Sequence, residues 1–145
     1  MYLKLVNNAD PALFFAALLA CLGGCATLHA TRAPDTDLKK LKTFYVANLP
    51  ADKRGIEKMI AARLNTMGLA STSGLKQTPP SPVDAVVTYQ DHWAWDITNY
   101  LIRLDVQVRD GRSGSILATG QAMRPSLQRK SPEGMVEEVI TEIFK

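Results

Sequence analysis

The chain has 145 residues, 46% of them apolar and 21% charged, a balance that excludes wholesale disorder. A formal net charge of +3 is too small to argue for a nucleic-acid partner, and no binding to nucleic acid is expected. Two cysteines, Cys21 and Cys25, both near the start, leave nothing downstream for a structural disulfide, thiol catalysis or a cysteine-ligated metal.

In chain order, residues 1–10 form a weakly basic start, with Lys4 set against Asp10. An apolar run from Ala12 to Leu22 follows, ending in Gly23, Gly24 and Cys25. Eleven apolar residues fall well short of the ~20 that a helix needs to span the hydrocarbon core. A short apolar run closed by small residues reads as an export signal that is cut.

These residues resemble a bacterial lipoprotein signal peptide with its lipobox: Leu22 at −3, Gly23 and Gly24 at −2 and −1, Cys25 at +1. Leu18-Leu19-Ala20-Cys21 is a competing box, but its −2 residue is bulky, and the small pair before Cys25 favours cleavage between Gly24 and Cys25. The resemblance implies a diacylglyceryl thioether on Cys25 and often an N-acyl chain such as palmitate. In a Gram-negative envelope it also implies a place in the outer membrane facing the periplasm, because Ala26 rather than Asp follows the cysteine. More than one chain matters, since a single acyl chain holds a protein to a membrane only marginally. Taking away the 24 residues before Cys25 leaves 121 of the 145, enough for one domain with a single core.

The expected division is therefore a signal peptide over residues 1–24, a lipidated tether over 25–38 and one domain over 39–145. The tether reading rests on Thr, His, Arg, Pro and Asp scattered through 26–37 without periodicity. Lys42–Asn48 reads as a strand, from the β-formers Phe44, Tyr45 and Val46. Asp52 is placed to cap a helix carrying Ile56, Met59, Ile60, Leu64 and Met67 on one stripe, with Gly68 as its C′ residue. Leu69–Ser73 suggests a short edge strand, and Pro79, Pro80 and Pro82 a stiff connector.

Asp84–Trp95 and Tyr100–Arg109 read as long strands. In the first, Val87, Tyr89, Trp93 and Trp95 share a face. In the second, Ile102, Leu104, Val106 and Val108 do. Asp91 falls among the apolar positions of the first strand, so it is paired with a base or marks a bulge. Asp110–Gly114 is a turn, and a returning strand puts Ile116, Ala118, Gly120 and Ala122 on one side, small enough to let a helix approach. Ser131, Pro132 and Glu133 open a final helix with a stripe of Met135, Val136, Val139, Ile140, Ile143 and Phe144.

The order β-α-(β)-β-β-β-α is that of an α+β two-layer sandwich: a mainly antiparallel sheet, two helices on one face, and Thr88, Gln90, His92, Arg103, Asp105 and Gln107 on the other. The layout is similar to that of small envelope lipoproteins and, more distantly, of lipoprotein assembly helpers. It transfers no site residues.

Candidate binding residues are Trp93, Trp95 and Tyr100, for stacking on a sugar ring or anchoring a protein, and His92, Arg103 and Asp105 on the polar face. Core packing is the competing role for both tryptophans. One histidine beside mixed charge is not a catalytic constellation, His29 lies in the expected tether, and Ser113 sits in a hairpin rather than a nucleophile elbow. No enzymatic activity, metal or cofactor is expected. The expected function is non-enzymatic binding or assembly of another envelope component, most simply a protein; the alternative is a glycan or peptidoglycan module built on Trp93, Trp95 and Tyr100.

Overall fold

The computed structural model describes residues 25–145; the expected signal segment, with Gly24, lies outside them. The elements in order are β1 (Thr27–Arg32), β2 (Thr43–Ala47), α1 (Ile56–Thr66), β3 (Ala70–Gly74), β4 (Ala85–Asp96), β5 (Thr98–Asp110), β6 (Ile116–Met123) and α2 (Pro132–Phe144). Single turns of 3-10 helix occur at Leu38–Lys40 and Ser126–Gln128. The six strands form one sheet in the order β1-β6-β5-β4-β2-β3. β2 runs parallel to β3 and β4, and the other pairs are antiparallel. This is the expected α+β sandwich.

The core lies between one sheet face and both helices. Phe44, Val46, Val87, Val106 and Val108 from the sheet meet Ile56, Ile60 and Leu64 of α1 and Met135, Val139, Ile140 and Ile143 of α2, all nearly inaccessible to water. These core side chains all lie within the described residues and form one cluster. The Phe144 ring meets Phe44 edge-on, with centroids 5.7 Å apart and planes inclined by 72°.

Both helices start as their sequences dictate. Asp52 Oδ1 accepts from the backbone N–H groups of Arg54 (2.6 Å) and Gly55 (3.2 Å), and Oδ2 from that of Ile56 (2.7 Å). Those donors have no partner inside the first turn of α1. At the other end Gly68 adopts φ 81°, and the Leu69 N–H returns to the Leu64 carbonyl. Ser131 caps α2 by accepting from Gly134 N at 3.1 Å, with Pro132 in the first position. Small residues on β6 let α2 settle directly on the sheet: a Cβ built on Gly120 would come within 2.6 Å of Ile143 Cγ1 and 2.9 Å of Val139 Cγ2.

Three expectations need correction. Residues 27–32, read as part of the tether, form β1, which pairs with β6 from Thr27↔Met123 to Arg32↔Ala118. The strand is mostly exposed, with only Ala30 packed against the core, so main-chain pairing with β6 does most to hold it. The Arg32 guanidinium also donates to the Ile143 carbonyl at 3.0 and 3.2 Å, satisfying the C-terminal end of α2. On β5 the core stripe is Leu101, Leu104, Val106 and Val108, not one starting at Ile102. The register shifts between His92 and Trp93, leaving Ile102 as the extra residue and sending Leu101 inward. A second shift at Val108/Arg109 turns Ile116 outward, 42% exposed.

Candidate functional site

The bulge at Ile102 separates two regions of the β4–β5 hairpin. Below it, alternation sends Gln90, His92, Arg103 and Asp105 to the sheet face away from the helices. Beyond it, the hairpin runs on past the other strands to a tip at Ile97.

On the polar face, His92, Arg103 and Asp105 come together. His92 Nε2 lies 3.0 Å from Asp105 Oδ2 and 2.8 Å from Arg103 Nη2. The two contacts exclude each other on one nitrogen: with a proton, Nε2 donates to Asp105; bare, it accepts from Arg103. Arg103 Nε is 3.0 Å from Asp105 Oδ2 but makes no aligned hydrogen bond. Asp105 Oδ1 accepts from Gln121 Nε2 at 2.5 Å. The row continues through β6 to β1, because Gln90 faces Asp105, Asp105 faces Gln121, and Gln121 faces His29. His29 therefore belongs to this surface rather than to a tether. Shallow clefts lie between Gln90, Asp105, Gln107 and Thr119, and no element among the described residues covers them. Among the described residues, no three His, Cys, Asp or Glu side chains are grouped to hold a metal ion.

At the tip, the three aromatic candidates divide: Trp93 and Tyr100 line one cleft, and Trp95 is not among its lining residues. Trp93 is half-buried against the core, donates its indole N–H to Asp91 Oδ2 at 2.6 Å, and has the Arg54 guanidinium 3.8 Å above its ring. Asp91 thus pairs with an indole rather than a base, beside the bulge. Tyr100 carries the Arg129 guanidinium 4.8 Å over its ring. Trp95 projects into solvent, 74% exposed.

Two further residues stand out with Trp95. Ile97 is 86% exposed at φ 62°, a conformation that a β-branched residue adopts only under strain. Leu127, 90% exposed, stands on the 3-10 turn after β6. That turn is fastened to the hairpin: Ser126 Oγ donates to Asp96, Arg129 Nη1 donates to Thr98 Oγ1 at 2.9 Å, and Arg129 Nη2 lies 3.7 Å from Asp96 Oδ2. Behind the tip is an open cleft of about 430 Å³, lined by Arg54, Trp93, Tyr100, Arg129 and Lys130 among others. Lys130 shares Glu138 with Arg124, each at 2.5 Å. Burial pushes the Glu138 carboxyl up, but hydrogen bonds from Lys130 and Arg124 outweigh it and hold it below its ordinary value. Arg54 has no ion-pair partner among the described residues. Sequence reasoning missed Ile97, Leu127, Arg54 and His29. The apolar pair sits in turns whose exposure only the strand register reveals.

Cys25, the expected lipid attachment residue, is exposed with its thiol free. It precedes β1 by a single residue. Since Thr27 is level with Met123, Arg103 and His92, Cys25 lies at the hairpin-tip end of the sheet. No described helix is long and apolar enough to cross a membrane.

No family model matches the chain, and no curated protein matches it. Among solved structures, a dodecamer of a point variant of PelC from Paraburkholderia phytofirmans superposes with a TM-score of 0.60 at 14% identity, covering 81% of this chain and 96% of that one. A second PelC dodecamer structure from the same organism gives 0.60 at 12%, covering 82% and 98%. A PDZ domain protein from Parabacteroides distasonis gives 0.51 at 11%, covering 77% of this chain and 33% of that one. At these identities the likeness is one of fold, and the fold spans nearly the whole PelC chain.

Proposed function

We propose that this chain is an outer-membrane lipoprotein facing the periplasm, anchored by lipid on Cys25, which binds or assembles another envelope component and performs no chemistry of its own. One observation carries the reading: the lipobox cysteine adjoins an ordered strand instead of a tether. Lipid on Cys25 then holds the sheet directly against the bilayer and leaves the His29–Gln121–Asp105–Gln90 row open to a partner. The partner is a protein, recognised by hydrogen bonds along that row. The PelC structures sharing the fold are dodecamers, so a second copy of this chain is one partner to test for.

Cys25→Ala should leave a full-length precursor that takes up no labelled fatty acid in cells; normal acylation of that variant would refute the anchor. With Gln121 replaced by a photo-cross-linking residue, envelope preparations should yield one repeatable adduct, either to another protein or to a second copy. A smear of unrelated adducts, indistinguishable from an exposed position such as Lys58, would remove the binding reading.

A further inference from the structure

The end of the domain that carries Cys25 also carries three of the four most exposed large apolar side chains among the described residues; the fourth, Leu75 at 81%, follows β3 at the opposite edge of the sheet. Trp95, Ile97 and Leu127 are 74%, 86% and 90% exposed. Trp95 and Ile97 lie three and five residues beyond His92, which is level with Thr27. At ~3.3 Å per residue Trp95 stands roughly 10 Å and the tip at Ile97 roughly 16 Å outside that row. Cys25 projects the same way. We propose that this end is a second, protein-made membrane contact: Trp95, Ile97 and Leu127 enter the lipid interface, and the Arg54–Arg129–Lys130 cleft behind them takes the phosphate of an anionic lipid headgroup.

The chemistry fits a lipid surface. Trp95 projects from the last residues of β4 and Ile97 and Leu127 from turns, each singly, which suits a deformable apolar medium. An indole prefers the boundary between hydrocarbon and headgroups. Strain at Ile97 keeps an isoleucine at the outermost point, where glycine would sit without cost. The charges agree as well. The cleft itself is lined by Arg54, Arg129 and Lys130 and by no acid; Arg129 and Lys130 reach out of it to Asp96 and Glu138, and Arg54 stacks on Trp93 with no ion pair among the described residues. An ion pair and a hydrogen bond to Asp96 and a bond to Thr98 fasten the turn bearing Leu127 to the hairpin that bears Trp95 and Ile97.

The orientation rests on the proposed anchor, but the contact itself needs no acyl chain. It is tested with the mature chain from residue 25 carrying Cys25→Ser, floated with vesicles of phosphatidylcholine alone or mixed with phosphatidylglycerol. The protein should bind the mixed vesicles more tightly, and brominated lipid should quench its tryptophan emission, an effect lost in Trp95→Phe. Ile97→Gly should raise the melting temperature by relieving strain while weakening vesicle binding about ten-fold. Arg54→Gln should cost about five-fold on the mixed vesicles only. No binding by the folded protein to either vesicle would overturn the proposal, as would unchanged binding in Ile97→Gly. Competition by inorganic phosphate without vesicle binding would instead reveal a soluble-anion site and equally overturn it. Because acylation of Cys25 is read separately in cells, failure here leaves the anchor standing, and an unacylated Cys25 leaves the vesicle result intact.

Discussion

Asp52→Ala should lower the stability of the mature domain by about 3 kcal/mol, read as a fall in the urea midpoint at unchanged slope. Asp52 is 8% exposed and does two jobs. It takes three backbone N–H groups at the start of α1 and accepts the Tyr89 hydroxyl at 2.7 Å. That hydroxyl in turn accepts from Leu49 N at 3.2 Å, tying the loop before the helix to β4. Alanine strands these groups in a site already holding the buried Glu57. A loss below ~1 kcal/mol would mean that water or Glu57 takes over, and the capping account would be wrong.

The pH dependence follows from the same contacts. Burial pushes the Asp52 carboxyl up, but the backbone hydrogen bonds from Arg54, Ile56 and Gly55 and the bond from Tyr89 outweigh it and hold it below its ordinary 3.8. A depressed folded value gives stability that is full above the unfolded value and is lost as pH falls through the folded one. Tyr89 shifts the other way: its burial and the acidic neighbours hold the phenol protonated well above its ordinary range. The stability gap between the native chain and Asp52→Asn should therefore narrow below about pH 4. Using the difference isolates Asp52 from Asp84, Asp110 and Glu138, which are also held low. A gap that stays constant down to about pH 3 would contradict the assignment.

Gly120→Val should cost about 3 kcal/mol or more, and Gly120→Ala about 2 kcal/mol. The added Cβ would fall 2.6 and 2.7 Å from Ile143 Cγ1 and Cδ1 and 2.9 Å from Val139 Cγ2, both residues without solvent exposure. Neither can move without disturbing the α2–sheet contact. Gly120→Ala with Ile143→Ala should be less damaging than the sum of the two single changes, because the second makes room for the first. Additive losses would show that α2 yields and that its close approach is not what demands glycine.

Gly120 was readable in the sequence because small residues alternated along a strand facing an apolar helix. Asp52, Ser131 and Gly68 were readable because caps are local chemistry. β1 was not: Thr27–Arg32 buries little, and its structure comes from the edge that β6 offers. The face assignments on β5 and β6 failed at Ile102 and Ile116 for one reason. Period-two reading assumes an unbroken ladder, and each strand pair carries an irregularity. The same assumption hid the tip. Trp95 shared parity with buried Val87, yet it lies beyond the helices that would cover it, so parity alone could not place it. His92, Arg103 and Asp105 came together as cross-strand spacing suggested, whereas His29 joined them only through β1.

Anchoring through Cys25 is tested most directly by mass spectrometry of the protein purified from envelopes of cells expressing it. The expected amino-terminal peptide begins at Cys25 and bears a diacylglyceryl group. An unmodified Cys25 within an uncleaved chain, or a mature start at another residue, would contradict it.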